Sequence, residues 1–270
     1  MKKLFLALQA EVVKQHHNSF HSALVYFSLL VWPILGFFTV WFTYKPFSLG
    51  GGGWLGIDTG AKLMVFISTG YMAYTCFWAM VQSAWQAGWQ ERQFGTLAIA
   101  FLSPANRLAL LYGRALGALL QDTWMFLCFC VFILIYAGDL GWPILWQLPL
   151  VFLILIISAT VWGGLMNALF LFSRDAEIVY NLCDDPMVLL AGVRVPVEGF
   201  PFWAQALSLI FPLTYCLAII RRIFGGAGFG ACLPQLWRLL ACLALMIGLT
   251  VLAMKKAEAH NRETGEFSFY

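Results

Sequence analysis

The chain has 270 residues; 61% are hydrophobic, 17% aromatic and only 11% charged, with a net charge of +3. Soluble domains average roughly 45–50% apolar and about 25% charged residues, so 16 basic and 13 acidic side chains are too few to cover a water-facing surface of this size. A soluble enzyme and a disordered chain are both excluded, the small net charge gives no reason to expect a nucleic-acid partner, and an all-α polytopic membrane protein remains.

Residues 1–20 open with Met1-Lys2-Lys3 and an apolar run, Leu4 to Leu8, that Glu11 and Lys14 soon interrupt. A signal peptide needs about 7–15 apolar residues and a small-residue cleavage site, so the segment is expected to be retained. Leu4, Phe5, Leu8 and Val12 share one helical face while Lys3, Lys14 and Gln15 lie mostly elsewhere, which predicts a helix lying on the cytoplasmic leaflet. His17 and His21 have metal-ligand spacing, but no third ligand follows, and no metal is assigned.

A membrane-crossing helix needs about 20 mostly apolar residues. The spans expected on that basis are 22–43, kinked at Pro33, then 61–82, 111–137, 147–172, 176–193 and 233–254. A Gly-rich connection around Gly50–Gly53 separates the first two, and residues 83–110 form a polar connection between the second and third. The fifth span is the weakest, because it carries Asp184, Asp185 and Pro186. Residues 194–230 are apolar yet broken by Pro196, Pro201, Pro212 and Gly225-Gly226. Broken helices persist at membrane depth only when packed on protein or facing water. A re-entrant hairpin dipping in from the outer face is expected there, with an amphipathic loop on the headgroups as the alternative. Residues 255–270 form a polar tail.

Basic residues orient this layout. With six spans, Lys2, Lys3, Lys14, Arg92, Arg107, Arg114, Arg174, Lys255, Lys256 and Arg262 fall on one side. Lys45, Lys62, Arg194, Arg221, Arg222 and Arg238 fall on the other. The richer side is cytoplasmic by the positive-inside rule, so both termini are expected in the cytoplasm. Most of the seven cysteines lie in apolar runs, and only Cys216 and Cys232 are candidates to share an outer compartment. Asp122 in the third span and Asp184 and Asp185 in the fifth are costly there and usually face protein or water. A role as pathway or gating groups and a structural pairing with neighbouring helices both stay open for them.

The polar connection holds Glu91-Arg92-Gln93-Phe94-Gly95-Thr96-Leu97 and ends at Ser103-Pro104-Ala105-Asn106-Arg107. Phe94, Leu97, Phe101 and Leu102 can form one apolar face, and Ser103-Pro104 ends the helix because a residue before proline avoids the helical region. Such an element suits helix-in-groove docking on a partner, and an ordinary inter-span loop is the competing reading.

Glu91, Arg92, Gly95, Thr96, Leu97, Ser103, Pro104, Arg107, Gly113 and Arg114 together resemble the permease subunit of type-2 ATP-binding-cassette (ABC) exporters. So does the downstream series Gly192, Pro196, Phe200-Pro201, Trp203, Pro212-Leu213-Thr214-Tyr215 and Arg221. The resemblance extends over the whole layout, from the interfacial helix to the broken outer hairpin before the last span. Two positions depart from it: Ala98 stands where the family usually carries Glu, and Arg194 where it usually carries an apolar or aromatic residue.

The resemblance implies a permease that is not itself an enzyme and carries no cofactor, with ATP and Mg held by two copies of a separate ATPase subunit. It implies a second permease copy, identical or paralogous, and residence in the inner membrane. Glu91, Arg92, Gly95, Thr96, Leu97, Ser103, Pro104 and Arg107 become the ATPase-coupling residues. Asp122, Asp184, Asp185 and Arg194 become candidates for the pathway or its gate. The chain itself has no G-x-x-x-x-G-K-[ST] element with which to bind a nucleotide. The expected function is ATP-driven export of a hydrophobic or amphipathic substrate such as a drug, lipid, glycan or peptide. A stand-alone secondary transporter or a transporter-assembly protein remains as the alternative, although no inverted repeat of interrupted spans is evident. An embedded enzyme is disfavoured, since no Ser/His/Asp set or HExxH occurs.

Overall fold

The computed structural model describes residues 2–19, 22–44, 60–95, 107–137, 142–172, 176–226 and 228–264, which are helical apart from short turns and contain no strand. Helix α1 is Lys2–Ser19, α2 Ala23–Tyr44 and α3 Gly60–Gln93. Helix α4, Arg107–Ala115, continues through a 3-10 turn, Leu116–Ala118, into α5, Leu119–Ala137. Helices α6, Trp142–Phe172, and α7, Ala176–Leu190, follow. Then come α8, Phe202–Ser208, α9, Pro212–Phe224, and α10, Leu233–Thr264.

Among the described residues, three helical stretches are long and apolar enough to cross a membrane: Leu108–Ile135, Trp146–Phe170 and Phe229–Lys256. The pair α8 and α9 meets the same test as a unit bent by 94°. Proline causes the bend. Pro212 is the first residue of α9, and Phe211 before it is extended (φ −89°, ψ 122°), so no helix continues through this point. Helix α7 holds 15 residues, about 22 Å at ~1.5 Å per residue. That is short of a hydrocarbon core of about 30 Å, and a turn at Gly192 (φ +86°) ends the segment before residue 193.

The core forms where α3 and α6 pack along each other and receive α5 and α9. Met72, Phe77 and Met80 of α3 meet Phe129 of α5, Leu155 of α6 and Leu213 and Leu217 of α9 within one buried cluster. Outward positions such as Leu127, Ile135, Trp146 and Trp237 are large, apolar and exposed, as a lipid-facing surface requires. All seven cysteines are free, including Cys216 and Cys232, which are both buried.

The second expected span, 61–82, is only part of α3, which runs on to Gln93 and carries Glu91 and Arg92 as its last turn. Helix α4 likewise begins at Arg107, ahead of the third expected span at 111–137. The two helices therefore bring the ends of the polar connection close to the body of the fold.

Candidate functional site

Helix α1 packs on α4 and the following 3-10 turn, and polar side chains lie at the centre of that contact, with Leu8 and Val12 half-buried beside them. Glu11 and Gln15 are buried, while Leu6 and Val13 are exposed. The contact is possible because two glycines, Gly113 and Gly117, face α1 four residues apart. A Cβ on Gly113 would lie 2.8 Å from Glu11 Cβ, and one on Gly117 would lie 2.7 Å from both Gln15 Cβ and Ser83 Oγ. Small residues at this spacing let two helix backbones approach closely, as in other membrane helix pairs.

Four charges meet at this junction. Arg114, only 2% exposed, donates from Nη2 to Glu91 Oε2 of α3. Lys14 Nζ of α1 donates to the other Glu91 oxygen at 2.7 Å and lies 3.5 Å from Glu11 Oε1. Glu11 Oε1 also accepts from Gln15 Nε2 at 2.8 Å and lies 4.0 Å from Arg114 Nε. Ser83 Oγ donates to the Arg114 carbonyl at 2.9 Å, which ties α3 to α4 a second time. Among the described side chains, two carboxylates and two cations meet here. Glu91 and Arg114 are buried, which is tolerable only because each has opposite charge and hydrogen bonds around it.

This geometry gives Glu91 an internal role. Its side chain is directed at α1 and α4, and it locks the last turn of α3. Gly95 then turns the chain away with φ +67°, with nothing within 4 Å of a Cβ placed there, and Phe94 beside it is 76% exposed. Arg92 lies in the last turn of α3 and Arg107 is the first residue of α4. Thr96, Leu97, Ser103 and Pro104 lie outside the described residues.

The acidic candidates of the spans do not form one site. Asp122 of α5 is fully buried, and neither carboxylate oxygen has a hydrogen-bond partner among the described residues. Asp184 of α7 accepts from Tyr74 Oη of α3 at 2.8 Å, whereas Asp185 beside it is exposed. Arg194 is exposed in the turn after α7.

A second polar constellation sits near the start of α3. Arg221 in the last turn of α9 donates from Nη2 to the carbonyls of Phe66, at 3.3 Å, and Val193, at 3.2 Å. Its guanidinium carbon lies 3.5 Å above the centroid of the Phe66 ring, a cation–π contact. Arg222 donates from Nη1 to the Ala231 carbonyl at 2.9 Å and to Gln235 Oε1 at 2.7 Å. Together these contacts hold the bent pair α8–α9 against α3 and the start of α10. Beside them opens a cavity of about 810 Å³.

The motif spacing singled out Glu91, Gly95, Gly113 and Arg114, but not their partners. Glu11, Lys14 and Gln15 carried a usable signal in the i, i+3, i+4 polar spacing on α1. The step Gly113 to Gly117 carried another. Nothing in the local sequence linked Arg221 to Phe66, 155 residues away.

A sequence profile of the ABC-2 type transporter family matches residues 3–224. Two curated relatives are the probable multidrug ABC transporter permease YbhR of Escherichia coli strain K12 and the protein of the same name from E. coli O157:H7. Each is 29% identical over 159 residues, covering 57% of this chain and 42% of the relative. The matched stretch is thus less than half the length of these relatives. The profile match runs from α1 to the last residue of α9, and the chain is a multi-pass membrane protein of the ABC-2 type transporter family.

Proposed function

We propose that the chain is the membrane-spanning permease subunit of an ATP-driven exporter. It moves a hydrophobic or amphipathic substrate out of the cytoplasm and is powered by a separate ATPase subunit present in two copies. A second permease copy completes the pathway. Both termini and the connection between α3 and α4 face the cytoplasm of a cell membrane crossed six times, and α8–α9 re-enters from the outer face. Similarity to YbhR, a probable multidrug ABC transporter permease, supports the permease part of this reading.

The observation that carries the proposal is the four-charge junction of α1, α3 and α4. An ATPase pushing on the connection between α3 and α4 needs rigid levers at both of its ends. Glu91 and Arg114 are those levers' clamps, and Lys14 and Glu11 bind α1 to the same frame. ATPase-driven displacement then passes along α3 into the core, where α5, α6 and α9 pack on it. The surface offered to the ATPase is the exposed turn after the clamp, beginning at Phe94, rather than the Glu91 carboxylate itself.

Co-purification with the ATPase encoded beside the gene, followed by ATP turnover in lipid nanodiscs, tests this. The complex should form, and its turnover should rise over that of the ATPase alone. Glu91→Gln combined with Arg114→Met, which leaves no buried charge unpaired, should retain the complex but lose most of that stimulation. Absence of both association and stimulation would overturn the proposal.

A further inference from the structure

We propose that the cavity under the bent pair α8–α9 binds an anionic amphiphile, a molecule with a phosphate or carboxylate headgroup and an apolar tail. Its volume of about 810 Å³ lies within the range of roughly 300–1,000 Å³ typical of ligand sites. Three cations line it, Arg221, Arg222 and Arg238, against one carboxylate, Glu198. The remaining wall includes Phe202, Leu209 and Leu217. Positive headgroup contacts and an apolar lining thus occur in one space.

Among the described residues, Glu198 is the one carboxylate in this lining, and it attracts Arg221 without forming an ion pair with it. No ion pair is formed by Arg221, Arg222 or Arg238 among the described residues. Arg221 is held by two carbonyl oxygens and an aromatic face, and its buried Nε has no hydrogen-bond partner. Carbonyls carry only partial charge, so the formal balance of +2 from three arginines and one glutamate is left for a ligand. Arginine suits phosphate and carboxylate because its fork of donors matches two oxygens at once. A bare excess of cations beside apolar membrane-facing walls is costly, and an anion removes that cost. The headgroup belongs beside Arg221 and Arg238, and the tail against the apolar wall.

This inference stands apart from the proposed ATPase coupling, because equilibrium binding needs no ATPase. The purified chain in a zwitterionic detergent is incubated with phosphatidylglycerol, phosphatidylcholine or oleate, each bearing a photoactivatable diazirine in the tail. Cross-linked peptides are then mapped. Phosphatidylglycerol or oleate should label segment 196–238 at least about tenfold more strongly than phosphatidylcholine, a ratio equal to about 1.4 kcal/mol. Labelling by phosphatidylglycerol assigns the site to a bilayer lipid. Labelling by oleate alone assigns it to a single-chain carboxylate reaching the site as cargo.

Arg238→Gln should reduce labelling several-fold, and Arg238→Lys should restore part of it. Glu198→Gln, which removes the opposing charge, should increase labelling by the anionic probes but not by phosphatidylcholine, a selectivity that misfolding cannot imitate. Equal labelling by all three probes, or indifference to both the Arg238 and Glu198 changes, overturns the proposal.

Discussion

At the scale of single residues, the Glu91–Arg114 pair has the largest energetic consequence. Both side chains are buried, and among the described residues the next anionic oxygen to Arg114 is Glu11 Oε1 at 4.0 Å. Removing one member of a buried pair leaves an uncompensated charge and costs about 3–5 kcal/mol, whereas replacing both members is far milder. Glu91→Gln is therefore expected to lower thermal stability strongly, and adding Arg114→Met should recover much of the loss. Tryptophan-monitored unfolding in detergent reads this directly, and additive losses would contradict the pairing. Lys14 is half exposed, so its share of the cluster depends on ionic strength. Asp122 stands in contrast: it is buried without a hydrogen-bond partner among the described residues, and nothing in the structure explains its retention.

At the scale of elements, the seating of α1 depends on absent side chains. Gly113→Leu would drive a side chain into Glu11, and overpacking of this kind costs about 1–3 kcal/mol. The substitution should push α1 off α4 and broaden the spin-label distance between Gln9 of α1 and Trp89 of α3. Gly248→Leu in α10 is the control, because nothing lies within 4 Å of a Cβ there. An unchanged distance with Gly113→Leu would refute the glycine seat.

The helices themselves were readable from the pattern of apolar runs. The breaks at Pro201 and Pro212 were readable from proline chemistry, which acts within a residue or two of its own position. Their partnerships were not. Apolar periodicity on α1 pointed to Leu4, Leu8 and Val12 as the face that matters, yet Glu11 and Gln15 are buried there, because Arg114 stands 103 residues beyond Glu11 and Glu91 stands 77 residues beyond the neighbouring Lys14. Long-range pairing of that kind leaves no mark in a local window.

At the scale of the whole molecule, α3 joins two polar sites. Phe66, beneath Arg221, and Glu91, beside Arg114, are 25 helical residues apart, or about 37 Å. That is somewhat more than one hydrocarbon thickness. One long helix thus connects the clamp at the end of α3 with the hairpin cavity near its start, and the core packs along the length between. A rigid α3 that receives a push at the clamp moves the floor of the cavity, so α3 is the element through which the proposed coupling would act.

That account makes one demand on topology and partnership, and Phe94 is the residue that reports on it. Phe94→Cys, in a background with the seven native cysteines replaced, is treated with a membrane-impermeant maleimide in inside-out and right-side-out vesicles. The account predicts labelling in inside-out vesicles alone, and protection when the ATPase subunit is present. Labelling from the outer face, or labelling that the ATPase leaves unchanged, would contradict it.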